Sequence, residues 1–405
     1  MRFGANYTPR RGWFHHWLDF DPAEQREDFA ALAGLGLDHV RVFCLWPVFQ
    51  PQRGVIRQRA LDDLERMYDA AADAGLDVTV DVLQGHLSSF DFYPSWTVTH
   101  HHRNVFTDPD VVEAQAELVA AVASRLSAHG NQLGVGLANE PNNLVAPLGR
   151  DTVTEAEVDA WIDRLLAAAA QADPDHPHNH SAFDAVWYDE GHPFTPRQLT
   201  TMGARTVIHP WVFSGAIGAT YGGLSTQATH LAEYVVELAR AWAPDPGRSI
   251  WVQEVGAPAG SVTAGEAPEF AERTIRNIAR CEGVWGVTWW CSHDVSRAMK
   301  DFPELEYSLG LCDSDGAAKP VGERVRDVAA ALRAEPAEPA KRTTALVLDV
   351  DAEPRKASGR GGVLFDAWMS RVGAGETPAI VTSDRAADAG YLADRGITDV
   401  QEVRP

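Results

Sequence analysis

QLGVGLANEPNN (132–143) decides how this chain is read. Its first seven residues are small and apolar, as expected for a parallel strand covered on both faces. The run then meets Asn139, Glu140 and Pro141. A charge at the end of a buried strand is costly unless it is paired, hydrogen-bonded or useful. Taken alone, Glu140 is most simply a strand-end residue turned to solvent before a Pro-Asn-Asn turn. The rest of the chain has to argue for anything more.

Seven further strands of the same kind can be picked out. They are RFGANY (2–7), HVRVFCLW (39–46), DVTVDVLQ (77–84), HSAFDAVW (180–187), TVIHPWVF (206–213), SIWVQEVG (249–256) and GVWGVTWW (283–290). Between them lie helical stretches rich in Ala, Leu and Glu, such as 21–36, 108–130, 154–172 and 226–243. The first of these opens with Asp21 as an N-cap and Pro22 at the first helical position, the usual chemistry of a helix start. The fifth unit is the weakest, with only a short stretch near 196–203 before the sixth strand. Eight strand–helix units over residues 1–333 favour a (β/α)8 TIM barrel over an open doubly wound sheet. Residues 334–342 (AEPAEPAKR) read as a linker, and 343–405 as a small C-terminal βαβαβ accessory domain, packed on the barrel or mediating assembly.

Composition limits the partners. A net charge of −22 argues against nucleic acid and anionic membrane surfaces. No apolar run approaches the ~20 residues that span a bilayer. MRFGANY runs directly into the first strand, so no leader is expected. The four cysteines (44, 281, 291 and 312) form no CxxC pair, which suits reduced, packed thiols and a cytoplasmic location.

In a barrel of this type, chemistry sits where strands end and βα-loops begin. The polar and aromatic exceptions to the apolar strands fall there: Asn6, Arg41, Gln84, His86, Asn139, Glu140, His209, Trp211, Glu254, Trp289 and Trp290. Glu254 matters most, because it ends the seventh strand as Glu140 ends the fourth. Strands four and seven face each other across a barrel mouth. Two carboxylates converging on one bond suit glycoside hydrolysis.

On these residues the chain resembles clan A glycoside hydrolases, and specifically glycoside hydrolase family 5. The resemblance rests on Arg41, Asn139-Glu140, His209, Glu254 and Trp290 and covers residues 1 to about 333. It implies a retaining enzyme with Glu140 as acid/base and Glu254 as nucleophile. Asn139 would bond the 2-hydroxyl of the cleaved sugar, Arg41 would hold Glu254 ionised, and Trp290 would form the floor. His86 and His209 join the substrate-binding set. No cofactor and no metal are implied. Many members carry His-x-Tyr on strand six, where this chain has His209-Pro210-Trp211. Either Trp211 lines the pocket, or another hydroxyl such as that of Tyr221 supplies the missing contact.

Long loops after strands one and three would wall off one end of the cleft, which suits an exo-acting enzyme on a short oligosaccharide. The chain is similar to the bacterial β-mannosidases of family 5, some of which act on mannosyl-β-1,4-N-acetylglucosamine. An endo-acting mannanase or glucanase, and a catalytically inactive carbohydrate-binding barrel, are the rivals. A homo-oligomer through the C-terminal domain is left open. The histidine groups 100–102 and 176/178/180 lack convergent carboxylates, so a metal there is disfavoured. Trp290–Cys291 is a candidate cis peptide.

Overall fold

The computed structural model describes residues 1–100 and 102–403. Seven strands form one parallel sheet in the spatial order Gln132–Ala138, Asp77–Gln84, His39–Leu45, Arg2–Asn6, Val284–Trp289, Ile250–Val255 and Thr206–Ile208. The gap between the last and the first is filled by the segment around Asn179. This residue forms a single parallel bridge with Gly136, with Leu137 N–H donating to its carbonyl at 3.0 Å and its own N–H donating to Val135 O at 3.0 Å. On the other side, Arg205 N–H donates to Asn179 Oδ1 at 2.8 Å. The sheet is thereby closed into a TIM barrel.

The fifth position corrects the sequence reading. No strand runs over 180–187, and residues Ala185–Tyr188 form one helical turn instead. The reason is that side chains, and not a neighbouring strand, take up the backbone here. Asn142 Oδ1 accepts from Phe183 N–H at 2.7 Å, and Asn142 Nδ2 donates to Phe183 O at 3.1 Å. The sixth strand is likewise shorter than read, Thr206–Ile208, so residues 209–213 emerge as loop at the barrel mouth.

The helices start where their caps dictate. Asp21 accepts from Ala23 N–H at the head of Pro22–Gly34, and Asp108 caps Pro109–Leu126. Thr154 and Glu157 make a reciprocal capping box on Glu155–Ala172. Among the described residues no helix is long and apolar enough to cross a membrane. All four cysteines are free and buried.

The C-terminal strands Ala379–Thr382, Thr344–Leu348 and Asp399–Glu402 form a separate parallel sheet with the first strand in sequence at its centre. Leu346, Leu348, Phe365 and Trp368 on one side join the same apolar core as the barrel helix Leu231–Trp242. Tyr234 of that helix meets Phe365 and Trp368 with ring centroids 5.4 and 5.2 Å apart. Buried ion pairs run alongside, from Arg395 to Glu237 at 3.0 Å and from Arg342 to Glu237 at 3.2 Å. Arg342 also pairs with Glu233. A charge as enclosed as Glu237 is tolerable only because three guanidiniums face it, Arg240 at 3.7 Å being the third. The 334–342 stretch is therefore anchored at its end by Arg342.

Candidate active site

Glu140 follows directly on the strand Gln132–Ala138 and Asn139, with φ 43° and ψ 51°. This left-handed conformation costs a non-glycine residue roughly 1–3 kcal/mol and clusters at functional sites. It turns the chain sharply, and Pro141 opens the following turn Pro141–Leu144. The carboxyl group is thereby held at the mouth. Its Oε1 lies 2.7 Å from His209 Nδ1, and its Oε2 accepts from Asn143 Nδ2 at 3.1 Å.

Glu254 sits inside the strand Ile250–Val255 and is 3% exposed. Arg41 Nη1 donates to its Oε1 at 2.6 Å, and the indole N–H of Trp211 donates to its Oε2 at 3.2 Å. His209 Nδ1 lies 3.5 Å from the same oxygen. An oxygen from each of Glu140 and Glu254 and a ring nitrogen of His209 all lie within 4.8 Å of one another.

Arg41 organises the layer beneath. Besides Glu254, its guanidinium donates to Asn6 Oδ1 at 2.9 Å, to Asn139 Oδ1 at 2.6 Å and to Asp81. Asn6 in turn donates to the carbonyls of Gln253 and Trp289 at 2.9 and 3.2 Å. One buried cation thus ties strands one, two, three, four and seven to a common geometry.

Burial pushes the Glu254 carboxyl above its ordinary value; Glu140 adds to the rise, while His209 and Arg41 oppose it. For His209, burial works against the charged ring, but Glu254 and Glu140 outweigh it and the net shift is upward. Burial likewise raises Asp184 to about 8, although Ser214 bonds its carboxylate.

A cavity of about 240 Å³ opens over the two carboxyls. At roughly 30 Å³ per water this is room for about eight waters. Its walls include His86, Asn139, Glu140, Trp211, Glu254 and Trp290, joined by Phe183, Phe213, Ser88, Ser89, Asn143 and Glu306. The Trp290–Cys291 peptide is cis. Beside the cavity, Trp13 of the first loop packs on Phe90 of the third and edge-on against Phe302 of the eighth, with centroids 5.9 and 4.7 Å apart. Phe90 and Phe302 are 5.0 Å apart. These three loops are locked into one wall.

Comparison with known proteins places the chain. The model of the family described as Cellulase (glycosyl hydrolase family 5) matches residues 4–179. The structure of a GH5_18 protein from Streptomyces cattleya in complex with Manb1-4GlcNAc is 50% identical, covers 99% of this chain and 98% of its own, and superposes with a TM-score of 0.97. A GH5_18 protein from Bifidobacterium longum subsp. longum ATCC 55813, also in complex with Manb1-4GlcNAc, is 44% identical over 99% of this chain and 96% of its own, with a TM-score of 0.95. The chain belongs to glycoside hydrolase family 5. It is a glycoside hydrolase. The exo-beta-1,4-mannosidase Op5Man5 from Opitutaceae bacterium strain TAV5, 24% identical over 95% of this chain and 70% of its own, shares the fold with a TM-score of 0.78. No curated protein sequence matches.

For this family 5 enzyme the structure brings together the eight residues expected from the sequence to be catalytic or substrate-binding, but in two layers. His86, Asn139, Glu140, Trp211, Glu254 and Trp290 line the cavity. Arg41 and His209, grouped with the substrate-binding residues on sequence, are both fully enclosed and lie behind the carboxyls. Arg41 sits within its strand and does not end it. Trp211, and not Tyr221, supplies the strand-six contact, since its N–H reaches Glu254 while Tyr221 is 39% exposed. The histidine groups are engaged elsewhere. His176 Nδ1 and His178 Nε2 lie 2.8 and 2.7 Å from Asp173 oxygens, His180 Nε2 is 3.1 Å from Gln198 O, and His102 meets Asp151 at 2.8 Å. His101 lies outside the described residues.

Asp81, Asn143, Gln253 and Glu306 were not singled out from the sequence. Asp81 stood out least, because DVTVDV reads as a strand with an ordinary polar alternation. Its burial at 1% beside Arg41 is what marks it.

Proposed function

We propose that this family 5 enzyme is a retaining exo-β-mannosidase that releases terminal β-mannose from short oligosaccharides such as mannosyl-β-1,4-N-acetylglucosamine. The observation that carries the mechanism is the approach of Glu140 and Glu254 oxygens to within 4.8 Å. It supports retention, for which the carboxyl groups stand ~5 Å apart, over inversion, which needs ~6.5–9.5 Å to admit a water.

The two carboxyls differ in what faces them, and this supports their roles. Glu254 accepts from Arg41 and Trp211, and donors to a carboxylate favour its charged, nucleophilic form. Glu254 attacks the anomeric carbon while Glu140 gives its proton to the departing glycosidic oxygen. Glu140, now a carboxylate, takes a proton from water as that water attacks the same carbon. The sugar leaves with its configuration retained, and Glu254 is restored. His209, between the two, couples their charges and turns its Nε2 toward Gln253 Oε1 at 3.1 Å. Asn139 fixes the 2-hydroxyl with the part of its amide not spent on His86 O, and Trp290 supplies an apolar floor.

The sugar is proposed from the two relatives bound to Manb1-4GlcNAc at 44 and 50% identity. The closed wall of Trp13, Phe90 and Phe302 supports exo over endo action. A cytoplasmic location fits a small substrate and four reduced thiols. Residues 343–405 are proposed as an accessory domain packed on the barrel, with homo-oligomer formation through it checked by light scattering. A panel of aryl β-glycosides (mannoside, glucoside, galactoside, N-acetylglucosaminide) tests the specificity: the highest kcat/KM is expected for the mannoside. A clear preference for another sugar would overturn it.

A further inference from the structure

A third carboxyl group faces the cavity, and the double-displacement mechanism makes no use of it. Glu306 lies in the loop after the eighth strand, is 5% exposed, and lines the same cavity as Glu140 and Glu254. Among the described residues its side chain accepts one hydrogen bond, a long one of 3.4 Å from the indole N–H of Trp290. Ser88, at the tip of the tight hairpin His86–Leu87/Phe90–Asp91, turns its hydroxyl to the Glu306 carboxyl and favours the charged form. Ser88 Oγ is itself buried, away from the open cavity. Ser88 and Ser89 both hold left-handed backbone, with φ 49° and 69°, so the hairpin tip is kept tight at the cavity edge at some cost.

Buried polar atoms without partners are uncommon and expensive. A sugar hydroxyl in the cavity answers the need of the carboxylate by donating to it. Both residues stand in the same loops as the aromatic wall beside the cavity. The hairpin carries Phe90 and the eighth loop carries Phe302, the rings that join that wall to Trp13. A terminal sugar meets such a wall with the hydroxyls that a longer chain would carry onward.

We propose that Glu306, positioned by Ser88, grips a hydroxyl of the terminal sugar remote from the cleaved bond, and so makes the enzyme select chain ends. The proposal rests on the exo-glycosidase reading and names the specificity device of that same site. Burial, reinforced by Glu254 and Glu140, raises Glu306 to about 7. In either protonation state Glu306 can accept the hydroxyl proton, and when protonated it can also donate.

The test is a cycle of kcat/KM values. The 4-nitrophenyl β-mannoside and its 3-, 4- and 6-deoxy analogues are compared in wild type, Glu306→Ala, Glu306→Gln and Ser88→Ala. In wild type one deoxy analogue should lose at least about tenfold, the effect of removing a hydrogen bond to a charged group. Glu306→Ala should lose a similar factor on the parent sugar, and then no further factor on that analogue. Glu306→Gln, which keeps shape and an acceptor, should retain part of the discrimination. Should the alanine variant fail to fold, the glutamine and serine variants carry the same comparison. Unchanged discrimination among the hydroxyls in the variants would overturn the proposal. If wild type prefers another aryl glycoside, the mannosidase reading fails, and the cycle is run with the deoxy analogues of that sugar.

Discussion

Replacing Trp211 by Phe removes the indole N–H from Glu254 while keeping an aromatic wall. The bond it breaks is 3.2 Å long, beyond the ~2.7–2.9 Å of the strongest charge-assisted contacts, so the lower end of the range for hydrogen bonds to charged groups applies, about 1.5 kcal/mol. That energy favours the ionised carboxylate and corresponds to a factor of about ten in its ionisation constant. Burial already raises Glu254 from its ordinary carboxylate value, so the proposed nucleophile ionises at higher pH than a free carboxyl. Removing a donor raises it further. In a pH profile of kcat/KM for an aryl β-mannoside, the acid limb of Trp211→Phe should lie at higher pH than that of wild type. The loss should be about tenfold on the acid side and should shrink toward the plateau, where both enzymes are fully ionised. A loss of equal size at every pH would show that Trp211 acts only as a wall, and would refute the electrostatic argument.

Glu140→Ala should cut kcat/KM by about 10²–10⁴-fold for substrates with poor leaving groups. The loss should be far smaller for a dinitrophenyl glycoside, whose leaving group needs no proton. Asp184, raised to about 8 by burial, keeps its proton in the native state where the unfolded chain has released it. Stability should therefore fall as pH rises from the ordinary carboxylate range to about 8, and Asp184→Asn should flatten that fall in urea titrations. Arg355, on the C-terminal side, donates to the carbonyls of Asp189, His192 and Phe194 at 2.6, 2.9 and 3.2 Å. Arg355→Ala should lower the denaturation midpoint by about 1–3 kcal/mol of stability. It should also raise KM more than it lowers kcat, because His192 bonds Asn142 O and Asn142 holds Phe183 at the cavity wall.

The barrel was legible because seven of its strands are short apolar runs that end in a polar or aromatic residue. The pairing of Glu140 with Glu254 was legible for the same reason, since neither charge has a cheap place at the end of a covered strand. The fifth position was not, because HSAFDAVW has strand-like composition while Asn142, forty-one residues earlier, takes up the backbone of Phe183. A contact of that span leaves no periodic trace. Trp211 was found as a strand-six residue, but its hydrogen bond depends on the orientation of one ring. Glu306 was missed because PELEYS reads as a solvated acidic loop; only the folded eighth loop encloses it. Arg342 stood in a stretch with the composition of a linker, and its two buried carboxylate partners lie on a helix a hundred residues away.

The central claim is that Glu254 forms a covalent bond to the sugar. Incubation with a 2-deoxy-2-fluoro-β-mannosyl fluoride, followed by proteolysis and mass spectrometry, reads this directly. Time-dependent inactivation is expected, with one fluoromannosyl group on the peptide carrying Glu254. Turnover without labelling, or a label on Glu140, would contradict it.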